Sequence, residues 1–227
     1  MSEPCRSTVI LNAPDPSLFH DEGRVPSADR RVRIVATSWS SNWNKGFEVY
    51  RHLDETLDFA RYSLTFVGNS PVAFRNIRQL PPQAPAKVAA ILRDADVFLT
   101  ASRDDPCSNS LAEAIACGLV PVAHRSGGHP ELVAGAGVLF AGMDDVRMAI
   151  DAASGNLDRF RAVLPRRSAD QMVEEYAAFL TEVWREARPP SRLSGAAAFG
   201  LRRHLANVWV RGKTSGLARR LCRVTRK

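Results

Sequence analysis

The sequence predicts an α/β fold, a Rossmann-like, doubly wound parallel sheet with helices on both faces. Two observations support this prediction. Short apolar runs rich in β-branched residues alternate along the chain with segments of helical periodicity. These runs are also continuous rather than alternating between apolar and polar residues, which is typical of parallel strands buried on both faces. Right-handed crossovers between such strands give a doubly wound sheet. In such sheets ligands bind outside the carboxyl ends of the strands.

The element predictions follow from the same periodicity. Strands are predicted at Val32–Ala36, Ser63–Val67, Ile77–Leu80, Val97–Thr100, Val120–Ala123 and Val138–Phe140. Helices are predicted at Lys45–Phe59, Ala84–Asp94, Ser110–Cys117, Asp145–Ala153 and Ser168–Ala187, and a turn at Gly127-Gly128. The loops at the carboxyl ends of the strands, where a ligand is expected, are then residues 37–45, 68–71, 101–110 and 124–131.

The composition of the 227 residues is ordinary for a globular protein, with 45% hydrophobic and 24% charged residues. No apolar run reaches the roughly 18–20 residues of a membrane span, and the N-terminus lacks the pattern of a secretory signal. Four scattered cysteines fit neither a zinc site nor a disulfide scaffold. These observations predict reduced thiols and a cytoplasmic location.

The charge is unevenly distributed. Residues 188–227 hold eleven Lys and Arg residues and no acid, which leaves 20 bases and 24 acids in the first 187 residues. The mildly acidic body therefore predicts no nucleic-acid partner. We place a boundary at Pro189-Pro190, between a domain at 32–187 and a basic helical tail at 188–227. The amphipathic stretch Leu193–Val210 predicts peripheral contact with an anionic membrane surface, with a solvated tail as the alternative.

The segment Asp96–Phe140 contains the main candidate binding and catalytic residues. A strand ends at Thr100, a loop carries Asp104 and Asp105, and a helix begins near Ser108–Ser110, where its free N–H groups form an anion site. Glu113 lies one turn further and can accept two hydrogen bonds from a vicinal diol such as a ribose. Alternatively, Ser110 and Glu113 form a capping box. For Asp104 and Asp105 the alternative is a solvated loop, and for Ser126-Gly127-Gly128 it is a plain turn.

Three linked motifs in this segment resemble the donor-nucleotide domain of family 4 glycosyltransferases, which have the GT-B fold. They are Asp105–x7–Glu113, the run Glu113–Val122 (EAIACGLVPV) and Gly127-Gly128-His129-Pro130-Glu131. Lys45-Gly46 is similar to the family's Lys-Gly at the head of the first helix, and Asn12–Phe19 to its interdomain segment. The resemblance covers residues 9–187 and makes residues 1–31 linker-like.

The resemblance implies a role for each matching residue. Glu113 would hold the ribose, Asp105 would contact the transferred sugar, and Lys45 would neutralise the diphosphate. Backbone N–H groups of Cys107, Ser108, Asn109 and Ser110 would bind the distal phosphate, and Gly127 and Gly128 complete the donor-binding set. It also implies a UDP- or GDP-linked sugar, transfer with retention to a glycan or lipid-linked acceptor in polysaccharide biosynthesis, and no cofactor or metal.

Three departures from the family pattern affect this interpretation. Asp105 stands where the family has a glutamate, and the loop before Lys45 lacks the family's arginine, for which Arg103 and Arg125 are candidate substitutes. An acceptor-binding domain is missing from the chain and is expected in a separate polypeptide. A truncated, non-catalytic module that binds a nucleotide-sugar or a partner is therefore the alternative, and a GT-B epimerase is a weaker one.

Other candidate sites fit less well. Asp94-Ala95-Asp96 matches the Asp-x-Asp of metal-dependent sugar transferases, but it precedes its strand and so lies away from the ligand edge. His124 and His129 flank the expected cleft, where a sugar contact and loop structure are the alternatives.

Overall fold

The computed structural model describes residues 7–24 and 31–186. The predicted basic tail and its amphipathic helix lie outside the described residues, as do Cys5 and Cys222. By the contacts between its residues, the chain divides into two compact units, Met1–Leu180 and Thr181–Lys227. The description below concerns the first unit, except for the last turns of its final helix.

Six parallel strands form one sheet in the order β3-β2-β1-β4-β5-β6. They are β1 (Val32–Ser38), β2 (Tyr62–Gly68), β3 (Arg78–Leu80), β4 (Val97–Thr100), β5 (Val120–His124) and β6 (Val138–Phe140). β1 pairs with β2 over its whole length, from Val32 opposite Tyr62 to Ser38 opposite Gly68, and with β4 through Ile34 opposite Val97. The strand order reverses between β1 and β4, so the predicted doubly wound sheet is confirmed.

The helices are α1 (Phe47–Thr56), α2 (Pro85–Arg93), α3 (Asn109–Ala116), α4 (His129–Val133), α5 (Val146–Ser154), α6 (Leu157–Arg161) and α7 (Ala169–Glu186). The predicted helix from Lys45 differs from the structure, since a 3-10 turn (Trp43–Lys45) comes first and α1 begins only after Gly46. Gly46 has a φ of 76°, and a Cβ there would lie 2.2 Å from the Ala101 carbonyl oxygen. The sequence prediction missed α4 and α6, which have five residues each.

The core lies on both faces of the sheet, as expected for central strands that are apolar throughout. One face packs against α1 and α5, with Phe47, Leu53 and Ile150 fully buried, and the other packs against α2 and α3. All four residues of β4 are buried. β2 departs from the expectation because Ser63 and Thr65 alternate with its buried residues and are partly exposed.

Residues from the linker-like N-terminal segment pack against this domain. Phe19 joins the cluster formed with α2 and α3. Arg24 donates hydrogen bonds to the carbonyl oxygens of Cys117 and Ala95, and Asn12 donates to Asn109 Oδ1 at the start of α3. The segment thus forms part of the surface around α3.

The last helix, α7, begins with a reciprocal capping box. The Ser168 N–H donates to Gln171 Oε1, and the Gln171 N–H donates to Ser168 Oγ. The predicted broad apolar face is present but largely exposed, since α7 contains no buried residue and Val173, Tyr176 and Leu180 are all exposed. Among the described residues, no helix has both the length and the apolar character that a membrane span requires.

Candidate functional site

The loops that follow β1 and β4 meet at the point where the strand order reverses. A cavity of about 110 Å³ lies between them, lined by Thr37 and Ser38 at the end of β1 and by Lys45 after it. On the other side it is lined by Ser102 and Asp105 of the loop after β4 and by Ser110 of α3. Of four larger cavities, of about 420 to 620 Å³, three contain none of the predicted site residues, and the one of about 550 Å³ is lined by Gly127 and Gly128 alone among them. We take the small cavity as the candidate site because this position in an open parallel sheet is where ligands bind.

Lys45 and Asp105, which are 60 residues apart in sequence, form an ion pair in this cavity. Lys45 Nζ donates to Asp105 Oδ2 at 3.1 Å, and the Asp105 side chain is only 16% exposed. Lys45 ends the 3-10 turn, which is fixed against β4 by the close contact between Gly46 and Ala101. The structure therefore brings together two of the residues that the sequence predicted to act on one ligand.

The loop that carries Asp105 is held by the turn that follows β5. The Asp104 N–H donates to Ser126 Oγ, which donates in turn to Asp104 Oδ1, and the Gly128 N–H donates to the Asp105 carbonyl oxygen. A Cβ at Gly127 would lie 2.3 Å from the Asp105 carbonyl oxygen, and one at Gly128 would lie 2.2 Å from that of Pro106. The Gly-Gly turn thus lies directly against the backbone of the acidic loop and fixes the position of Asp105.

The arrangement of α3 excludes one of the two interpretations of Glu113. The N-cap is Ser108, so Ser110 is the second residue of the helix and Glu113 the fifth. The capping-box alternative is therefore wrong, since that motif needs the glutamate as third residue. Glu113 is partly buried, and burial raises the pKa of its carboxyl group. Among the described residues, no side chain or backbone group makes a hydrogen bond or ion pair with the Glu113 carboxylate.

The start of α3 faces the cavity. Ser108 is buried, its Oγ lies 3.3 Å from Ser110 Oγ, and both residues line the cavity. The first N–H groups of a helix have no intrahelical acceptor, so this end can bind an anion. Of the other two residues predicted here, Cys107 is a partly exposed free thiol and Asn109 accepts the hydrogen bond from Asn12.

His129, which the sequence places beside the expected cleft, begins the helix α4. Its side chain is fully buried, and its Nδ1 hydrogen-bonds the His124 carbonyl oxygen at 2.8 Å. Because a carbonyl oxygen only accepts, Nδ1 carries the proton. Burial lowers the pKa of the imidazole, while the nearby Asp105 carboxylate acts in the opposite direction. The fully buried His129 therefore cannot contact a sugar, and its role is structural, in the helix α4 rather than in a loop.

His124 is also held by the protein. Its Nε2 hydrogen-bonds the Ala141 carbonyl oxygen, and its ring packs edge-on against Phe140. Arg103, a candidate substitute for the family's arginine, is engaged elsewhere, since it pairs with Glu48 of α1 and its N–H donates to the Asn44 carbonyl oxygen. Arg103 thus links the two loops that form the site, whereas Arg125 is exposed.

Asp94 and Asp96 do not face the site. Asp96 accepts hydrogen bonds from Arg33 and Arg161 at the amino end of β4, and Asp94 pairs with Arg33. Burial by itself raises the pKa of the Asp96 carboxyl group, but the arginine contacts outweigh it and hold that pKa below its usual value. The Asp-x-Asp sequence is therefore a pairing site for arginines.

The sequence of the domain matches a known family over much of this fold. The family model described as glycosyl transferases group 1 matches residues 40–157, which is just over half of the chain. The chain belongs to the group 1 glycosyltransferases. The matched range contains Lys45, Asp105, Glu113 and the Gly-Gly turn. No curated protein matches the chain.

Solved structures of glycosyltransferases share the fold. A glycosyltransferase from Rickettsia africae is similar with a TM-score of 0.63 and 14% identity, covering 79% of this chain and 58% of that one. The lipopolysaccharide outer core galactosyltransferase WaaB is similar with a TM-score of 0.62 and 13% identity, covering 77% and 55%. These similarities show the GT-B glycosyltransferase fold alone. The chain spans little more than half of the length of either protein.

A third similar structure is a single domain. It is the C-terminal domain of the group 1 family protein LpcC from Francisella tularensis, with a TM-score of 0.53 and 14% identity, covering 72% of this chain and 98% of that one. The matching part of this chain thus corresponds in extent to the C-terminal domain of that protein.

Proposed function

We propose that this chain is the donor-binding half of a family 4 glycosyltransferase, which transfers a sugar with retention from a UDP- or GDP-linked donor. The Lys45–Asp105 pair in the cavity between β1 and β4 carries this proposal. Breaking the bond between sugar and phosphate leaves negative charge on the departing diphosphate. A fixed lysine and a helix N-terminus stabilise that charge without rearrangement in the transition state.

The other residues take complementary roles. Glu113, a partly buried carboxylate without a protein partner, accepts hydrogen bonds from the ribose hydroxyls. The N–H groups at the start of α3, around Cys107–Ser110, bind the distal phosphate. Lys45 exchanges its bond to Asp105 for the diphosphate, which leaves the Asp105 carboxylate free to accept a hydrogen bond from the transferred sugar.

The experiment is calorimetric titration of the purified chain with UDP, GDP and their sugar conjugates. The key variant is Glu113→Gln, which keeps the size of the side chain and removes its charge. A charged acceptor makes each hydrogen bond stronger by about 1 kcal/mol, so two ribose bonds predict binding weaker by about 30-fold. Lys45→Met tests the diphosphate contact in the same way.

Glu174→Gln is the matched control because it makes the same change on the exposed surface of α7 and should leave binding unchanged. The donor site is refuted if the folded chain binds no nucleotide or if Glu113→Gln binds as tightly as the wild type. Binding of one nucleotide over the other identifies the base.

A non-catalytic binding module is the second candidate function. The specific observation that favours it is Asp105, which is one methylene shorter than the family's glutamate and is held by Lys45. The Asp105→Glu variant separates the two functions. If the shorter side chain limits transfer, this variant raises the rate of donor hydrolysis or transfer while nucleotide affinity stays the same.

The expected partners also belong to this proposal. We infer an acceptor-binding domain on a separate chain, a glycan or lipid-linked acceptor, and a cytoplasmic location with the basic tail against an anionic membrane. Co-sedimentation with vesicles of anionic or neutral lipid, with and without residues 188–227, tests the membrane contact. Binding that is independent of lipid charge or of the tail contradicts it.

A further inference from the structure

Two exposed tryptophans lie in the segment between β1 and α1, which also carries Lys45. Trp39 is 56% exposed and Trp43 is 50% exposed, although tryptophan is highly buried on average. Trp39 also lines the cavity together with Lys45 and Asp105. Exposed aromatic surface beside a ligand site marks an interaction surface. We propose that Trp39 and Trp43 form a platform that binds a pyranose ring of the acceptor.

The platform is held in place by its own loop. Ser38 Oγ donates to the Ser40 carbonyl oxygen, and Asn69 donates to the carbonyl oxygen of Trp39. The ring of Trp43 packs edge-on against the fully buried Phe47, with 6.2 Å between the ring centroids. The two indoles are therefore presented from an ordered backbone, which lowers the entropic cost of binding a ligand.

The chemistry of the loop fits a neutral carbohydrate. Between and beside the tryptophans stand only uncharged polar residues, all exposed: Ser40, Ser41, Asn42 and Asn44. A pyranose has one face of C–H groups, which packs on an indole ring, and a rim of hydroxyl groups, which hydrogen-bond to amides and hydroxyls. A membrane surface fits less well, because interfacial tryptophans are accompanied by basic residues and residues 39–44 contain none.

The position of the loop assigns the sugar to the acceptor, an assignment that rests on the proposed function. The proposed donor contacts come from Lys45, Asp105, Glu113 and the start of α3. Trp39 borders the same cavity from the β1 side. A sugar packed on Trp39 therefore lies next to the Lys45–Asp105 pair, where the transferred group is released. Trp43, in the 3-10 turn that also carries Lys45, supplies the second indole.

The experiment measures glycan binding apart from donor binding. The chain is applied to an array of neutral oligosaccharides that end in glucose, galactose or mannose, and the best ligand is then titrated by calorimetry. Trp39→Ala and Trp43→Ala should each weaken glycan binding by about tenfold, and Trp39→Phe should restore most of it. Trp184→Ala is the matched control, since Trp184 is 82% exposed on α7 and should not change binding.

The same variants are titrated with the nucleotide that the wild type binds, so that the two proposals can fail separately. The platform is supported if Trp39→Ala loses glycan affinity and keeps nucleotide affinity. It is overturned if a chain that binds nucleotide binds no neutral glycan, or if Trp39→Ala weakens only the nucleotide, which would place the base on the indole. Glycan binding without any nucleotide binding overturns the acceptor assignment and the donor site, but not the sugar platform.

Discussion

Replacing Gly128 with alanine would place a methyl group against the backbone that positions Asp105. The new Cβ would lie 2.2 Å from the Pro106 carbonyl oxygen, whereas ordinary contacts begin at 3.4 Å, so the two segments must separate by about 1 Å. Gly128 has a φ of −84° and a ψ of 4°, which alanine adopts without strain. Any effect of Gly128→Ala therefore comes from this steric contact and not from the backbone conformation.

The size of the effect follows from this displacement. Overpacking of a closely packed region costs about 1–3 kcal/mol, which for a domain of this size lowers Tm by about 2–12 °C. A shift of about 1 Å at Asp105 also breaks its 3.1 Å bond with Lys45 and, by misplacing a reacting group, lowers transfer by up to about 100-fold.

The assay is thermal unfolding followed by circular dichroism, paired with titration of the nucleotide-sugar. Gly142→Ala is the control because a Cβ at Gly142 meets nothing within 4 Å and its φ is not positive. Equal Tm values for the two variants, with unchanged ligand affinity, would refute the argument that the Gly-Gly turn supports the acidic loop.

Three further predictions concern stability. Asp54→Ala leaves three N–H groups, those of Arg75, Asn76 and Ile77, without their carboxylate acceptor and should cost about 3 kcal/mol in urea unfolding, while Glu55→Ala on the same helix should cost little. Asp96→Asn leaves Arg33 and Arg161 without the carboxylate that pairs with both and should cost about 2–4 kcal/mol of unfolding free energy. An unfolding midpoint equal to that of Asp94→Asn would contradict this. Because burial lowers the pKa of His129, the unfolded chain binds its proton first, and stability falls as pH drops below about 6.5. In His129→Gln, which lacks this group, the loss of stability between pH 7.5 and pH 5 should be smaller than in the wild type, and an equal loss would contradict this.

The sheet could be predicted because its central strands are continuous β-branched runs. Val97–Thr100 and Val138–Phe140 were predicted with their observed bounds. The helix α4 was missed because the Gly-Gly pair was interpreted as a turn, although Pro130 in the first helical turn is a start signal. Short helices such as α6 carry too few residues for periodicity to separate them from loops.

The sequence placed the candidate site residues at one edge of the sheet, but it did not reveal which parts of the fold hold them in position. Local spacing left Glu113 between two roles, and only the helix start at Asn109, two residues from the alternative, separates them. The sequence placed Lys45 and Asp105 at the same edge, and their contact required the strand order. The burial of His129 depends on segments that meet only in the folded domain, so no local pattern could reveal it.

The exposed face of α7 has a consequence for its dynamics. The helix is fixed near its start by the capping box and by the paired hydrogen bonds from Arg167 to Glu175, and none of its side chains is buried. Most helices in proteins owe their stability to tertiary packing. The backbone amides of residues 169–180 should therefore exchange with solvent faster than those of the central strands β1 and β4. This part of α7 can then open without any change in the sheet that holds the site.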